Sequence, residues 1–269
     1  MSGKTASVAA RVGVLVFPGT NSEDETKRAC EAVGLQTDLL HWKTPAATVR
    51  RYDALVLPGG FAYEDRVRAG AIAAHDELMS VVRESAGRGK PVLGICNGAQ
   101  ILMEAGLVPG FERSRRPQAG FAPNAPTGRF VCRHVHVKLS IPPERCLLTA
   151  RMAPETVFPA WASNAEGRLA GSPEVLERIV AGKHAAFKYC TAEGALTPDA
   201  VPNGSALGIA AVCNVEGNVL AIMPHPERDA WTFMHQSGPQ RARAWGDAAA
   251  MLGASGGIAL FAGLAGALR

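Results

Sequence analysis

Two short strings of this chain carry residue types that can do covalent chemistry. In the first, Gly94-Ile95-Cys96-Asn97-Gly98, a cysteine stands between two glycines, at the end of an apolar run and the start of a helical one. A strand-to-helix turn of this kind lifts a nucleophile clear of the backbone. Its small neighbours permit the tight geometry, and the helix N-terminus favours thiolate over thiol. The N–H of Asn97, the residue after the nucleophile, would face a developing oxyanion. Taken alone, GxCxG is equally the pattern of a small cysteine buried at a tight turn, and both readings stand at this point.

A thiol nucleophile needs a base. Of the seven histidines, His41, His75, His184 and His235 sit in segments that read as exposed or helical. His134 and His136 alternate along a strand-like run and read as a surface pair, since no third metal ligand is evident. His225 differs: it follows the apolar run 219–223 and lies in Pro224-His225-Pro226-Glu227, where two prolines fix the backbone and an acid stands two residues on. Extended backbone would put alternate side chains on one side, so Glu227 could hold the imidazole of His225 in one tautomer. The alternative is a turn after a strand with an incidental acid.

The elements that must position these residues alternate. Runs at 12–17, 54–57 and 91–95 are short, apolar and stopped by Pro-Gly or Cys-Asn-Gly; helical spacing follows at 22–33, 71–86 and 99–105. Strands alternating with helices predict an α/β fold, with a mostly parallel central sheet and helices on both faces. Ligand sites in such sheets gather at the carboxyl ends of strands, here the loops 18–21, 58–61 and 96–98. The second half is less regular, with strand-like runs at 130–139, 206–213 and 219–223 and a Pro- and Gly-rich loop at 109–128. We read 1–269 as a single domain with an insertion at about 231–252.

Composition narrows the function classes. The 269 residues are 47% hydrophobic and 19% charged, enough to bury a full core. The net charge of +4 comes from scattered basic residues. The only dense groups are Arg113 with Arg115 and Arg116, and Arg241 with Arg243, so a solvated surface is expected and no nucleic-acid partner. Six cysteines without a CxxC pair predict a reduced, cytoplasmic protein with no bound metal, and the Gly/Ala-rich segment 253–268 is too short to span a membrane.

These residues together resemble the class I glutamine amidotransferases, of flavodoxin-like architecture. In that family the nucleophile lies in GxCxGxQ, here Gly94 to Gln100, and the base and acid lie in a later HPE, here His225-Pro226-Glu227. Pro18-Gly19-Thr20-Asn21, Pro58-Gly59-Gly60-Phe61, Arg68-Ala69-Gly70-Ala71-Ile72-Ala73 and the string Met223 to Arg228 look like the glutaminase subunits of phosphoribosylformylglycinamidine synthases. The resemblance implies that Cys96, His225 and Glu227 hydrolyse L-glutamine. Gly60 and Asn97 would supply the oxyanion hole, and Gln100 would hold the substrate.

It also implies that the ammonia passes to a large synthetase subunit. That subunit would convert formylglycinamide ribonucleotide to formylglycinamidine ribonucleotide in purine synthesis, commonly with a small accessory subunit. No GxxxxGK[ST] loop is present, so no cofactor is expected in this chain, and ATP and Mg belong to the partner. One loop departs from the family: the usual AHGEG reads Ser163-Asn164-Ala165-Glu166-Gly167, which puts its role in doubt. The competing readings are an amidotransferase serving another synthetase and a catalytically silent binding module that kept the fold.

Overall fold

The computed structural model describes residues 10–112, 116–235 and 252–269. The apolar runs form β1 (Arg11–Val16), β3 (Ala54–Leu57), β4 (Val92–Ile95) and β11 (Val219–Ile222), whose residues are almost all buried. With β2 (Gln36–His41) they make a parallel array in the order β2-β1-β3-β4-β11. The same sheet continues antiparallel through β10 (Ile209–Cys213), β9 (Phe187–Cys190), β6 (Val131–Leu139) and β7 (Val157–Asn164). A separate ribbon pairs β5 (Ala119–Ala122) with β8 (Arg168–Gly171).

Alternate residues along the parallel strands enter two different cores, as the period of two requires. Val12, Val14, Val56 and Leu93 pack with Ala29 and Cys30 of α1 (Glu23–Ala32) and with Leu260, Phe261 and Leu264 of α6 (Ile258–Ala267). Leu15, Leu55, Leu57 and Val92 pack instead with α3 (Leu78–Gly87) and α4 (Asn97–Glu104). Helices therefore cover both faces. Two further helices, α2 (Ala46–Val49) and α5 (Pro173–Ala181), complete the set among the described residues, and none is long and apolar enough to cross a membrane.

The expected helix over 71–86 is broken in two. A 3₁₀ turn covers Ala73–His75, and Asp76 is extended because its carboxylate serves two other donors, the Leu78 N–H at 2.8 Å and the Tyr63 hydroxyl at 2.7 Å. Within 109–128, read as loop throughout, β5 forms a short strand. β2, β7, β8, β9, α2 and α5 gave no clear signal either. β2 is an edge strand with only two buried residues, β7 is an edge strand that tolerates Pro159, and α5 buries a single residue. The insertion at 231–252 lies mostly outside the described residues, as do Arg113, Arg115, Arg241 and Arg243.

Candidate active site

Cys96 follows β4 directly and adopts φ 51°, ψ −107°, a backbone conformation that L-residues rarely occupy. Such a conformation costs on the order of 1–3 kcal/mol and persists only where its surroundings impose it. Here its N–H donates to Ile222 O at 2.8 Å, and its carbonyl accepts from Gln100 N at 3.0 Å. The flanking glycines let α4 press against the sheet: a Cβ on Gly98 would lie 1.9 Å from Leu57 O, and one on Gly94 would lie 2.6 Å from Gly98 O. The strained strand-to-helix turn has the geometry of a nucleophile elbow.

The elbow sets Cys96 and His225 in one pocket, where the thiol donates to Ser163 O at 3.8 Å. The imidazole of His225 is fully buried, and its Nδ1 lies 2.5 Å from Glu227 Oε1. With Nδ1 committed to the carboxylate, Nε2 is the nitrogen that serves the thiol. The backbone of His225 is pinned in both directions to Trp161 of β7, at 2.8 and 3.1 Å. The expectation that extended chain brings Glu227 to the ring does not hold. Pro226 is helical and Glu227 opens a 3₁₀ turn, so the acid reaches back by a turn. Burial opposes charge on the imidazole, but the charges of Cys96 and Glu227 and their hydrogen bonds outweigh it and raise His225 to about 10. At neutral pH the ring is an imidazolium and can donate a proton.

Around this pair lies a small pocket shared by Gly60, Asp65, Gln100, Asn164, Glu166 and Arg228. As the first residue of α4, Asn97 has an N–H with no acceptor within the helix, free for an oxyanion. Its side chain ties the site together: Oδ1 accepts from Ala62 N, and Nδ2 donates to Asp65 Oδ1 and Gln100 Oε1, each at 2.9 Å. Gly60 has φ 151°, and a Cβ there would lie 2.6 Å from Gly19 O, so the loop passes close only because this residue is glycine. Gln100 donates from Nε2 to Glu166 O at 2.7 Å, bracing the 163–167 loop against the elbow.

That loop, whose role its altered sequence put in doubt, therefore lines the site. Asn164 is buried, and neither amide atom has a partner among the described residues. Buried amides are almost always satisfied, so a ligand in this pocket has both a donor and an acceptor to meet. Asp65, Glu166 and Arg228 were missed as site residues because charged residues in loops carry no periodic signal. Two histidine readings are corrected. His184 is buried against Phe111 and Arg145. His134 is no surface residue, since its ring is held 2.7 Å from the buried Asp229 by the fold of the later HPE turn.

A buried imidazolium held by a carboxylate beside a thiol at a helix N-terminus can carry out acyl transfer from an amide carbonyl. Comparisons with known proteins point the same way. Residues 9–261 match the CobB/CobQ-like glutamine amidotransferase domain. The chain is 46% identical over 219 residues to phosphoribosylformylglycinamidine synthase subunit PurQ of Symbiobacterium thermophilum, covering 81% of this chain and 87% of that one. It is 40% identical to the subunit of the same name from Pyrococcus furiosus, covering 83% and 91%. Among solved structures, that of PurLQS from Thermotoga maritima aligns over 96% of this chain and 98% of its own with a TM-score of 0.71 at 25% identity.

Proposed function

The chain belongs to the CobB/CobQ-like glutamine amidotransferase family, and from that premise we propose that it is the glutaminase subunit of a phosphoribosylformylglycinamidine synthase. It hydrolyses L-glutamine and passes the ammonia to a large synthetase subunit, which makes formylglycinamidine ribonucleotide in purine synthesis. The single observation that carries the chemistry is the buried Cys96–His225–Glu227 constellation on a strained elbow.

The Cys96 thiolate attacks the side-chain carbonyl carbon of glutamine, and the oxyanion takes hydrogen bonds from the N–H groups of Gly60 and Asn97. Each such donor is worth roughly 3–4 kcal/mol in other acyl-transfer enzymes. The imidazolium of His225 gives its proton to the amide nitrogen. The C–N bond then breaks, releasing ammonia and leaving a γ-glutamyl thioester. His225, now neutral, takes a proton from water as it attacks the thioester, and glutamate leaves with Cys96 restored. Glu227 holds the ring in one tautomer throughout. Gln100 orients the substrate through the loop it braces, and Asn164 meets the substrate's polar atoms.

ATP and Mg are used on the synthetase subunit, and a small accessory subunit completes the assembly. The complex works in the cytoplasm, where the six cysteines stay reduced. The relatives named above favour this synthetase over another. Ammonia release from glutamine should be weak for the isolated chain and rise at least tenfold when synthetase, ATP and nucleotide are added. Equal rates with and without the synthetase would remove the coupling from this reading.

A further inference from the structure

On the far side of the HPE turn a second group of side chains converges. His134 Nε2 lies 2.7 Å from Asp229 Oδ2, with both side chains shielded from solvent. The ring of His235 packs edge-on against that of His134 with centroids 4.8 Å apart, and one ligand atom from each of His134, Asp229 and His235 falls within 4.8 Å of the others. We propose that these three residues bind a divalent transition-metal ion of the zinc class, at a site separate from the glutaminase pocket.

The donor set points to that class. Two imidazoles and one carboxylate suit zinc, cobalt or nickel, whereas magnesium and calcium ask for oxygen alone. Zinc holds such ligands at about 2.0–2.2 Å, which sets their mutual separation in a tetrahedron at roughly 3.3–3.5 Å. The 2.7 Å pair has to open by less than about 1 Å, and the widest separation, 4.8 Å, has to close by about 1.5 Å, both within side-chain rotation.

The supporting shell is in place. Ser255 Oγ donates to Asp229 Oδ1 at 2.6 Å and so orients Oδ2 towards His134, and Trp161 packs edge-on against His134 at 5.5 Å. A cavity lined by His136, His235, Thr232 and Ser255 opens beside His235. A structural ion pair needs one imidazole beside a carboxylate. Here a second imidazole, that of His235, also brings a ring nitrogen within 4.8 Å of the carboxylate, and the His136 ring packs 5.0 Å from that of His134.

The ion would fasten the turn that carries Glu227 to the strands beneath it. Asp229 shares the 3₁₀ turn of Glu227, His134 sits opposite Trp161 in the β6–β7 register, and Trp161 holds the backbone of His225. The test uses the full, tag-free chain, stripped with chelator and carrying Cys96→Ala and Cys132→Ser so that neither thiol competes. Titration with Co²⁺ should give one ion per chain, with visible ligand-field bands, no thiolate charge-transfer band and displacement by Zn²⁺. Asp229→Asn and His235→Ala should each weaken binding by about 100-fold or more, and Ser255→Ala by about tenfold.

His134→Gln is a third ligand variant but risks misfolding. His235→Ala, at the partly exposed edge, keeps the test sharp: its melting temperature without metal should match the parent, and Zn²⁺ should raise only the parent's. No stoichiometric binding, or binding that survives both Asp229→Asn and His235→Ala, would overturn the site and leave His134–Asp229 a structural pair.

Discussion

Replacing Gly59 by alanine should disable the glutaminase without touching any residue that does chemistry. A Cβ at this position would lie 2.5 Å from Cε1 of His225 and 3.2 Å from its Nδ1. Ordinary contact begins at 3.4 Å, so the ring must retreat by about 0.9 Å. It has little room to do so. Nδ1 is tied to Glu227 at 2.5 Å and the His225 backbone is pinned twice to Trp161, so the imidazole must tilt away from Cys96. A displacement of about 1 Å in a catalytic group costs on the order of 10²-fold in rate, or about 3 kcal/mol of barrier. The assay is ammonia release from glutamine in the assembled complex. Gly87→Ala is the control, because it sits at the end of α3 with nothing within 4 Å of its Cβ. A folded Gly59→Ala enzyme with the parent rate would refute the placement of His225 against this loop.

Removing His225 and weakening it should differ. His225→Ala should cost about 10²–10⁴-fold in glutaminase rate, the usual span for a general acid–base group, whereas Glu227→Gln should cost less. The folded pKa of His225 is raised from 6.5 to about 10, so the folded ring keeps its charge through neutral pH and loses it as pH rises through about 10, and the stability it contributes, complete below pH 6.5, is lost over the same rise. The alkaline limb of kcat/KM should therefore fall near pH 10 and move down in Glu227→Gln, and an unmoved limb would take Glu227 out of the triad. A glutamine-like electrophile should label Cys96 and spare the other cysteines. Burial pushes Cys30 to about 12 and Cys190 to about 11, Cys146 and Cys213 are fully buried, and exposed Cys132 has no elbow to activate it. Mass spectrometry finding the label on Cys132 would count against the assignment.

The parallel half of the sheet and the elbow were legible because buried strands and tight turns leave local marks. Val12, Leu55 and Leu93 stand in short apolar runs, and Gly94 and Gly98 bracket Cys96 where no Cβ fits. The pairing of His225 with Glu227 was found on an incorrect premise, since spacing alone does not distinguish extended chain from a 3₁₀ turn when both bring positions two apart together. The role of the 163–167 loop was not legible. Gln100 reaches it across the fold, 66 residues away in sequence, and the unpaired amide of Asn164 is a property of packing. The burial of His134 was hidden for the same reason, because its partner Asp229 is 95 residues on.

The central question is whether nitrogen from glutamine reaches the product through Cys96. The direct measurement supplies the assembled complex with glutamine labelled with ¹⁵N at the side-chain amide, ATP and formylglycinamide ribonucleotide, in the presence of excess unlabelled ammonium. The parent should transfer ¹⁵N to the amidine product. Cys96→Ala should transfer none while still making unlabelled amidine from ammonium at the parent rate. Labelled product from Cys96→Ala, or loss of its ammonium-dependent synthesis in a complex that remains assembled, would contradict the account.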